Sequence, residues 1–254
     1  MLSGFIWYEL LTSDPGAAAK FYGQVLGWTA ADSGKPGMDY RILSMNGSGI
    51  GGLMAIPAAA AKAGMKPAWL GYIHVDNVDK AIVAIIAAGG AEHMPATDIP
   101  GVGRIAMVAD PQGANIYIMK PEGTGTSTSF SPDMPGHGGW HELHAKDGAS
   151  ALAFYSKQFG WRKSSEMDMG PMGIYYLFNI GTEQMFGGMM SDPKAPRPHW
   201  LYYFCVDDID AAHRRVTKNG GETLMEPHQV PTGAWIIQAR DPQGALFALL
   251  GPRK

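Results

Sequence analysis

The stretch Trp7-Tyr8-Glu9-Leu10-Leu11-Thr12-Ser13-Asp14-Pro15-Gly16-Ala17-Ala18-Ala19-Lys20-Phe21-Tyr22-Gly23-Gln24-Val25-Leu26-Gly27-Trp28 decides the architecture. Its start is aromatic and aliphatic enough for a strand. Asp14 can accept from the free N–H groups of a helix start, and Pro15 suits the first helical position. Ala17 to Ala19 favour helix, and Phe21, Tyr22 and Val25 give it an apolar face. Gly27 is placed to end it in a left-handed turn, and Trp28 opens the next strand. The pattern returns: Trp7, Glu9, Leu10, Asp14, Ala18, Phe21, Tyr22, Gly27 and Trp28 recur as Trp140, Glu142, Leu143, Asp147, Ala151, Phe154, Tyr155, Gly160 and Trp161. Every pair is separated by 133 positions (140 − 7), so the chain is a tandem duplication.

Two further strands are expected at Asp39 to Met45 and Ile50 to Ile56, with Asn46-Gly47 as a hairpin turn between them. The order then repeats. Trp69 to Val75 reads as a strand, Asp76 or Asn77 as a cap, and Gly89-Gly90 as the end of a helix reaching about Ala88. Arg104 to Val108 and Asn115 to Met119 pair across Asp110-Pro111-Gln112-Gly113. The second half repeats this as Val206-Asp207-Asp208-Ile209-Asp210, Gly220-Gly221 and Asp241-Pro242-Gln243-Gly244. Four βαβββ modules result, with a Gly-, Ser-, Thr- and Pro-rich stretch between the halves. The expected domains are 1–122 and 140–254, joined by a linker at 123–139. The pairing of modules, within a half or across halves, is open at this point.

Composition narrows the partners. A chain of 254 residues with net charge −3 gives no electrostatic case for nucleic acid or an acidic membrane surface. The single cysteine, Cys205, excludes an internal disulfide and a multi-cysteine metal site, and suits a reducing compartment. Met1 to Glu9 has no basic start or long apolar run, so no leader is expected, and no apolar run approaches the ~20 residues of a membrane span. The expectation is a cytoplasmic protein, monomer or homodimer.

These motifs together resemble the vicinal oxygen chelate superfamily, which includes glyoxalase I, bleomycin-resistance proteins and extradiol dioxygenases. The resemblance rests on Phe21-Tyr22 … Leu26-Gly27-Trp28 and its copy Phe154-Tyr155 … Phe159-Gly160-Trp161, on the two Val-Asp-(Asn/Asp)-(Val/Ile)-Asp runs, and on the two Asp-Pro-Gln-Gly turns. It implies an α+β fold: two tandem glyoxalase-like domains, each of two βαβββ modules forming a cupped sheet. It also implies a divalent metal in catalytic members. Their ligands lie seven residues before the helix-opening Asp or Asn, which here gives Trp7, Leu70, Trp140 and Leu201. Another lies after each Asp-Pro-x-Gly turn, here Tyr117 and Ala248. Such a site needs about three N or O ligands. No cofactor is therefore expected; a divalent metal held by ligands two residues off this register is the alternative.

Side chains two apart share a strand face. The first cup is expected to hold Trp7, Glu9, Tyr72, His74 and Tyr117, with Glu9 and His74 as a possible acid–base pair. The second is expected to hold Trp140, Glu142, His144, Tyr203 and Cys205. The plainer readings are that each Glu bonds backbone, that His74 is a satisfied buried histidine, and that Cys205 is a small core residue. His93, His137, His141, His199, His213 and His228 read as structural or solvated. The methionines Met167, Met169, Met172, Met185, Met189 and Met190 read as gap fillers or an adaptable lining. The Gly51-Gly52 and Gly187-Gly188 pairs read as sites of strand bending or of close approach by a ligand. The leading functional expectation is a glyoxalase- or bleomycin-resistance-like protein binding a small, partly apolar molecule. The alternatives are a metal-dependent lyase or dioxygenase, and metal-free acid–base chemistry through Glu9 and His74.

Overall fold

The computed structural model describes residues 3–35 and 37–254; Met1 and Leu2, part of the segment read for a leader, lie outside the described residues. Local signals act as their chemistry dictates. Asp14 accepts from the Ala17 N–H at 2.9 Å, and Gly27 closes the helix at φ 77°. Asn46 (φ 49°) and Gly47 (φ 82°) both take the left-handed conformation that a tight hairpin needs.

The first module is β1 (Phe5–Thr12), α1 (Pro15–Leu26), β2 (Thr29–Asp32), β3 (Tyr40–Met45) and β4 (Ser48–Ala55). A short helix α2 (Ala58–Lys62) leads to the second: β5 (Ala68–His74), α3 (Val78–Ala87), β6 (Ala91–Ile99), β7 (Gly103–Ala109) and β8 (Asn115–Pro121). The third is β9 (Gly138–Ala145), α4 (Gly148–Phe159), β10 (Arg162–Asp168), β11 (Ile174–Asn179) and β12 (Gly187–Ser191). The fourth is β13 (His199–Cys205), α5 (Ile209–Lys218), β14 (Glu222–Gln229), β15 (Trp235–Arg240) and β16 (Leu246–Gly251). The fold is α+β. Each half supplies one eight-stranded sheet, ordered β2-β3-β4-β1-β5-β8-β7-β6 and β10-β11-β12-β9-β13-β16-β15-β14. The sheets thus pair first module with second and third with fourth.

The compact units divide the chain differently. One contains the stretch up to Ile6, Gly71–Thr126 and Trp140–Leu201; the other contains Trp7–Leu70, Ser127–Gly139 and Tyr202–Lys254. Each has an aromatic core. In the first, Trp161 stacks on Phe178 (4.6 Å) and Tyr155 (5.1 Å), and Trp200 meets Tyr155 edge-on. In the second, Tyr22, Trp28, Trp69 and Phe204 pack edge-to-face and stacked within 5.8 Å of their neighbours.

The repeated motifs meet inside these units. In the second unit, Trp69 Nε1 donates to Tyr22 Oη (2.8 Å), and Tyr22 Oη donates to Asp241 Oδ2 (3.1 Å). In the first, Trp200 donates to Tyr155 (2.9 Å), and Tyr155 donates to Asp110 (3.2 Å). Each aspartate's other oxygen accepts two backbone N–H groups of its own turn. The Phe-Tyr motif of one half therefore holds the Asp-Pro-Gln-Gly turn of the other. Residues 127–139 also pack within the second unit: Trp28 Nε1 donates to Gly136 O (2.7 Å), and His137 Nδ1 lies 2.6 Å from Thr128 O.

A cluster on the third module

Strand β9 alternates cleanly: His141, Leu143 and Ala145 are buried, while Trp140, Glu142 and His144 share the other face and keep a small exposed fraction, 12% for the Glu142 and His144 side chains. The sequence placed these three together, and the structure joins them through a residue it did not single out. Trp140 Nε1 donates to Tyr175 Oη at 2.9 Å, and Tyr175 Oη donates to Glu142 Oε2 at 2.8 Å. The other Glu142 oxygen lies 2.8 Å from His144 Nε2, and His144 Nδ1 lies 2.9 Å from Asp192 Oδ2. His199 stacks on His144 with ring centres 4.8 Å apart and planes 6° from parallel.

Both nitrogens of His144 face carboxylate oxygens, which only accept; both must carry protons, so the ring is an imidazolium. Burial alone would lower its pKa, but the Glu142 and Asp192 carboxylates outweigh that and raise it. Asp192 is shifted the other way: its own burial would raise it, and the bond to His144 brings it below the usual range. His199 falls below its ordinary value, through burial and then the positive charge of His144.

The double glycines explain how Tyr175 fits. Gly188 lies opposite Glu142 across the β9–β12 pairing, and a Cβ there would fall inside the Tyr175 ring. The first half repeats the device: Gly52 lies opposite Glu9, a Cβ there would meet the Tyr40 hydroxyl, and Trp7 Nε1 donates to Tyr40 Oη at 3.0 Å. The close approach at these glycines comes from an internal tyrosine. Their partners Gly51 and Gly187 pass against the carbonyls of Tyr8 and His141.

The remaining candidates have varied settings. Glu9 is buried in the second unit, and His74 is buried in the first. Among the described residues His74 Nδ1 has no hydrogen-bond partner, and burial lowers the ring's pKa. Tyr72 and Tyr117 stack face to face at 4.3 Å. Tyr203 is buried and accepts from Gln238 Nε2 at 3.0 Å. Cys205 Sγ lies 3.2 Å from Pro132 O, beside a cleft of about 360 Å³ in the second unit that Leu26, Met45 and Arg215 also line. Burial and then Asp133 push its thiol pKa up to about 12, so it is not a reactive thiolate. His141 is a core residue between Phe5 and Phe186. Among the methionines, Met189 fills core, whereas Met172 and Met185 are exposed.

Asp192, Tyr175 and His199 were not picked out from sequence, although a signal for two of them existed. Where the second half has His144, Asp192 and His199, the matching first-half positions are Leu11, Ile56 and Ala68. Three apolar positions in one copy are polar in the other, and the three polar side chains meet.

A profile of the glyoxalase/bleomycin resistance protein/dioxygenase superfamily matches residues 4–118 and again 139–249. The chain belongs to this superfamily. It is 34% identical over 252 residues to a candidate glyoxylase, CFP32, of Mycobacterium bovis, covering 97% of this chain and 94% of that one. It is 30% identical over 268 residues to the anthracycline biosynthesis protein DnrV of Streptomyces peucetius, covering 98% and 93%. Its fold is similar to the Mn(II)-bound glyoxalase of Novosphingobium aromaticivorans (TM-score 0.68, 13% identity, 100% of this chain and 83% of that one). It is likewise similar to a catechol 2,3-dioxygenase (TM-score 0.66, 16% identity, 100% and 89%).

The donor set at the superfamily's metal-ligand positions can now be tested. Trp7 and Trp140 have no lone pair to give, and their N–H groups are bound to Tyr40 and Tyr175. Leu70, Leu201 and Ala248 have no donor atom, and Tyr117 offers only a phenol. Two residues along from Trp140, Glu142 uses its oxygens on Tyr175 and His144, and His144, four along, uses both nitrogens on carboxylates. These residues do not fit a divalent cation bound in the superfamily's manner.

Proposed function

We propose that this protein binds a small, partly apolar molecule on its sheets without the superfamily's divalent metal. The observation that carries this reading is the third-module cluster. Where a metal-binding relative would present ligands, Trp140 and Tyr175 form a hydrogen-bonded aromatic wall, and Glu142, His144, Asp192 and His199 stand beside it, partly open to solvent. Aromatic surface with a few fixed polar groups suits small-molecule recognition. The relatives' names, a candidate glyoxylase and an anthracycline biosynthesis protein, are in keeping with a small organic ligand. A single unpaired cysteine and the lack, among the described residues, of any helix long and apolar enough to cross a membrane support a cytoplasmic setting.

Two measurements test it. Elemental analysis of the purified protein is expected to find no stoichiometric divalent metal; finding one overturns the metal-free reading. A thermal-shift series with aldehyde–thiol adducts, catechols, an anthracycline and a glycopeptide antibiotic is expected to raise the melting point for at least one class, since a ligand that binds only the native state stabilises it. A flat series counts against binding.

A second reading is acid–base chemistry through His74. It draws on one observation, the buried His74 Nδ1 that no group among the described residues bonds. If it holds, His74→Gln abolishes turnover of a substrate once one is found, and an unchanged kcat rejects it.

A further inference from the structure

His199 was read from sequence as structural or solvated, yet its surroundings fix its chemistry. Nδ1 lies 3.1 Å from Arg197 O. A carbonyl only accepts, so Nδ1 holds the proton. Burial and then the face-to-face stack on the His144 imidazolium oppose a second positive ring; the bond to Arg197 O and the Asp192 charge work the other way, and the Arg197 charge adds to the opposition. His199 is therefore a neutral imidazole whose Nε2 carries a lone pair. Among the described residues nothing donates to that atom, and the ring is half-buried. An acceptor is thus held rigidly, by a stack and a hydrogen bond, at the end of the series of contacts that runs from Trp140 through Tyr175, Glu142 and His144.

Glu142 and Asp192 carry two negative charges, matched by His144 and Arg197, both of which act on His199. Discrimination therefore rests on Nε2 itself: an un-ionised hydroxyl has a proton to donate, and an ether or a carboxylate has none. The first half has Leu11, Ile56 and Ala68 at the matching positions, so it has no counterpart of this acceptor.

We infer that His199 Nε2 accepts a hydrogen bond from the ligand, and that this face selects molecules pairing an apolar body with a neutral hydroxyl. This rests on the small-molecule reading above. It commits to a donor hydroxyl over an ether or a carboxylate at the same position.

The test uses three probes of one size: 2-naphthol, 2-methoxynaphthalene and 2-naphthoate, titrated by fluorescence into the full-length protein at about pH 8, where a neutral histidine is an acceptor. The expected order of affinity is naphthol, then the methyl ether, then the carboxylate, with naphthol about tenfold tighter than the ether. His199→Phe keeps a ring on His144 and removes the acceptor; it should bring naphthol and ether to within about twofold. Acidification of the wild-type protein should weaken naphthol and leave the ether unchanged, because Nε2 gains a proton. That measurement decides the matter if the variant fails to fold by circular dichroism. Equal binding of naphthol and ether, a preference that survives His199→Phe, or a pH-independent preference overturns the inference and leaves the small-molecule reading standing. Failure of all three probes to bind overturns the inference together with that reading for this ligand class.

Discussion

Tyr175 lies so close over Gly188 that a Cβ at that position would clash with the far end of the tyrosine ring and its hydroxyl. The glycine is a condition for the cluster, because Tyr175 links Trp140 to Glu142. Gly188→Ala should therefore displace the ring and break both bonds. Overpacking of this kind costs about 1–3 kcal/mol. Urea unfolding should show a loss of that size, whereas Gly125→Ala, with open space around it, should change stability by less than about 0.5 kcal/mol. Adding Tyr175→Ala to Gly188→Ala should recover part of the loss, and purely additive effects would reject the clash.

His144 should be charged at neutral pH. Heteronuclear correlation spectra of the imidazole nitrogens should show both protonated at pH values where an ordinary histidine, with pKa near ~6.5, is mostly neutral. Asp192→Asn removes one of the two carboxylates and should move its titration midpoint downward, and Glu142→Gln should do the same. The stability linkage has a definite sign: a histidine with a raised folded pKa contributes stability below its unfolded pKa and loses that contribution as pH rises through the folded value. A neutral tautomer for His144 at pH 7 would reject the bridged imidazolium.

Much of the fold was legible because its signals are local. Asp14, Gly27 and Asn46-Gly47 each act within a few residues of themselves, and the 133-residue offset exposes the duplication without any contact being known. Trp140, Glu142 and His144 were legible for the same reason, since strand alternation puts them on one face. Asp192 and His199 were not, because they reach the cluster from the end of β12 and the start of β13, 48 and 55 residues beyond His144 in sequence. Their presence becomes visible only when the two halves are subtracted from each other. The double glycines suggested room for a ligand, but sequence could not show that a tyrosine of the neighbouring strand takes that room.

His141 should make the protein acid-sensitive. Its ring is wholly buried, its Nδ1 donates to Phe186 O at 2.8 Å, and burial lowers its pKa from 6.5 to about 3. Between those values the unfolded chain binds a proton that the native chain does not, so stability falls as pH falls, by up to roughly 1.4 kcal/mol per pH unit. The raised values of Asp110 and Asp241 act in the opposite sense, adding stability on acidification. His141→Phe keeps an aromatic ring against Phe5 and Phe186 but cannot charge. It should lose about 1 kcal/mol near pH 8 for the missing hydrogen bond and show a flatter acid limb in pH-dependent denaturant unfolding. An unchanged acid limb would exclude His141 as its source.

The bond between Tyr22 and Asp241 spans 219 residues of sequence, and its copy joins Tyr155 to Asp110. Each tyrosine hydroxyl both accepts from a tryptophan and donates to the aspartate, so deleting it strands two buried partners. Tyr22→Phe should cost about 1–3 kcal/mol for those unsatisfied groups. Burial also lifts the Asp241 pKa, and the tyrosine bond opposes that rise, so the variant should lift it further. A carboxyl with a raised folded pKa contributes stability below its unfolded pKa and loses it as pH rises through the folded one. The penalty of Tyr22→Phe should therefore be larger at pH 8 than at pH 5, when urea unfolding is compared at the two values. Tyr22 and Tyr155 belong to different compact units, so their losses should add in the double variant. A penalty that does not depend on pH would mean that the hydroxyl stabilises only its tryptophan donor, and that the Asp-Pro-Gln-Gly turn holds its carboxylate by backbone N–H groups alone.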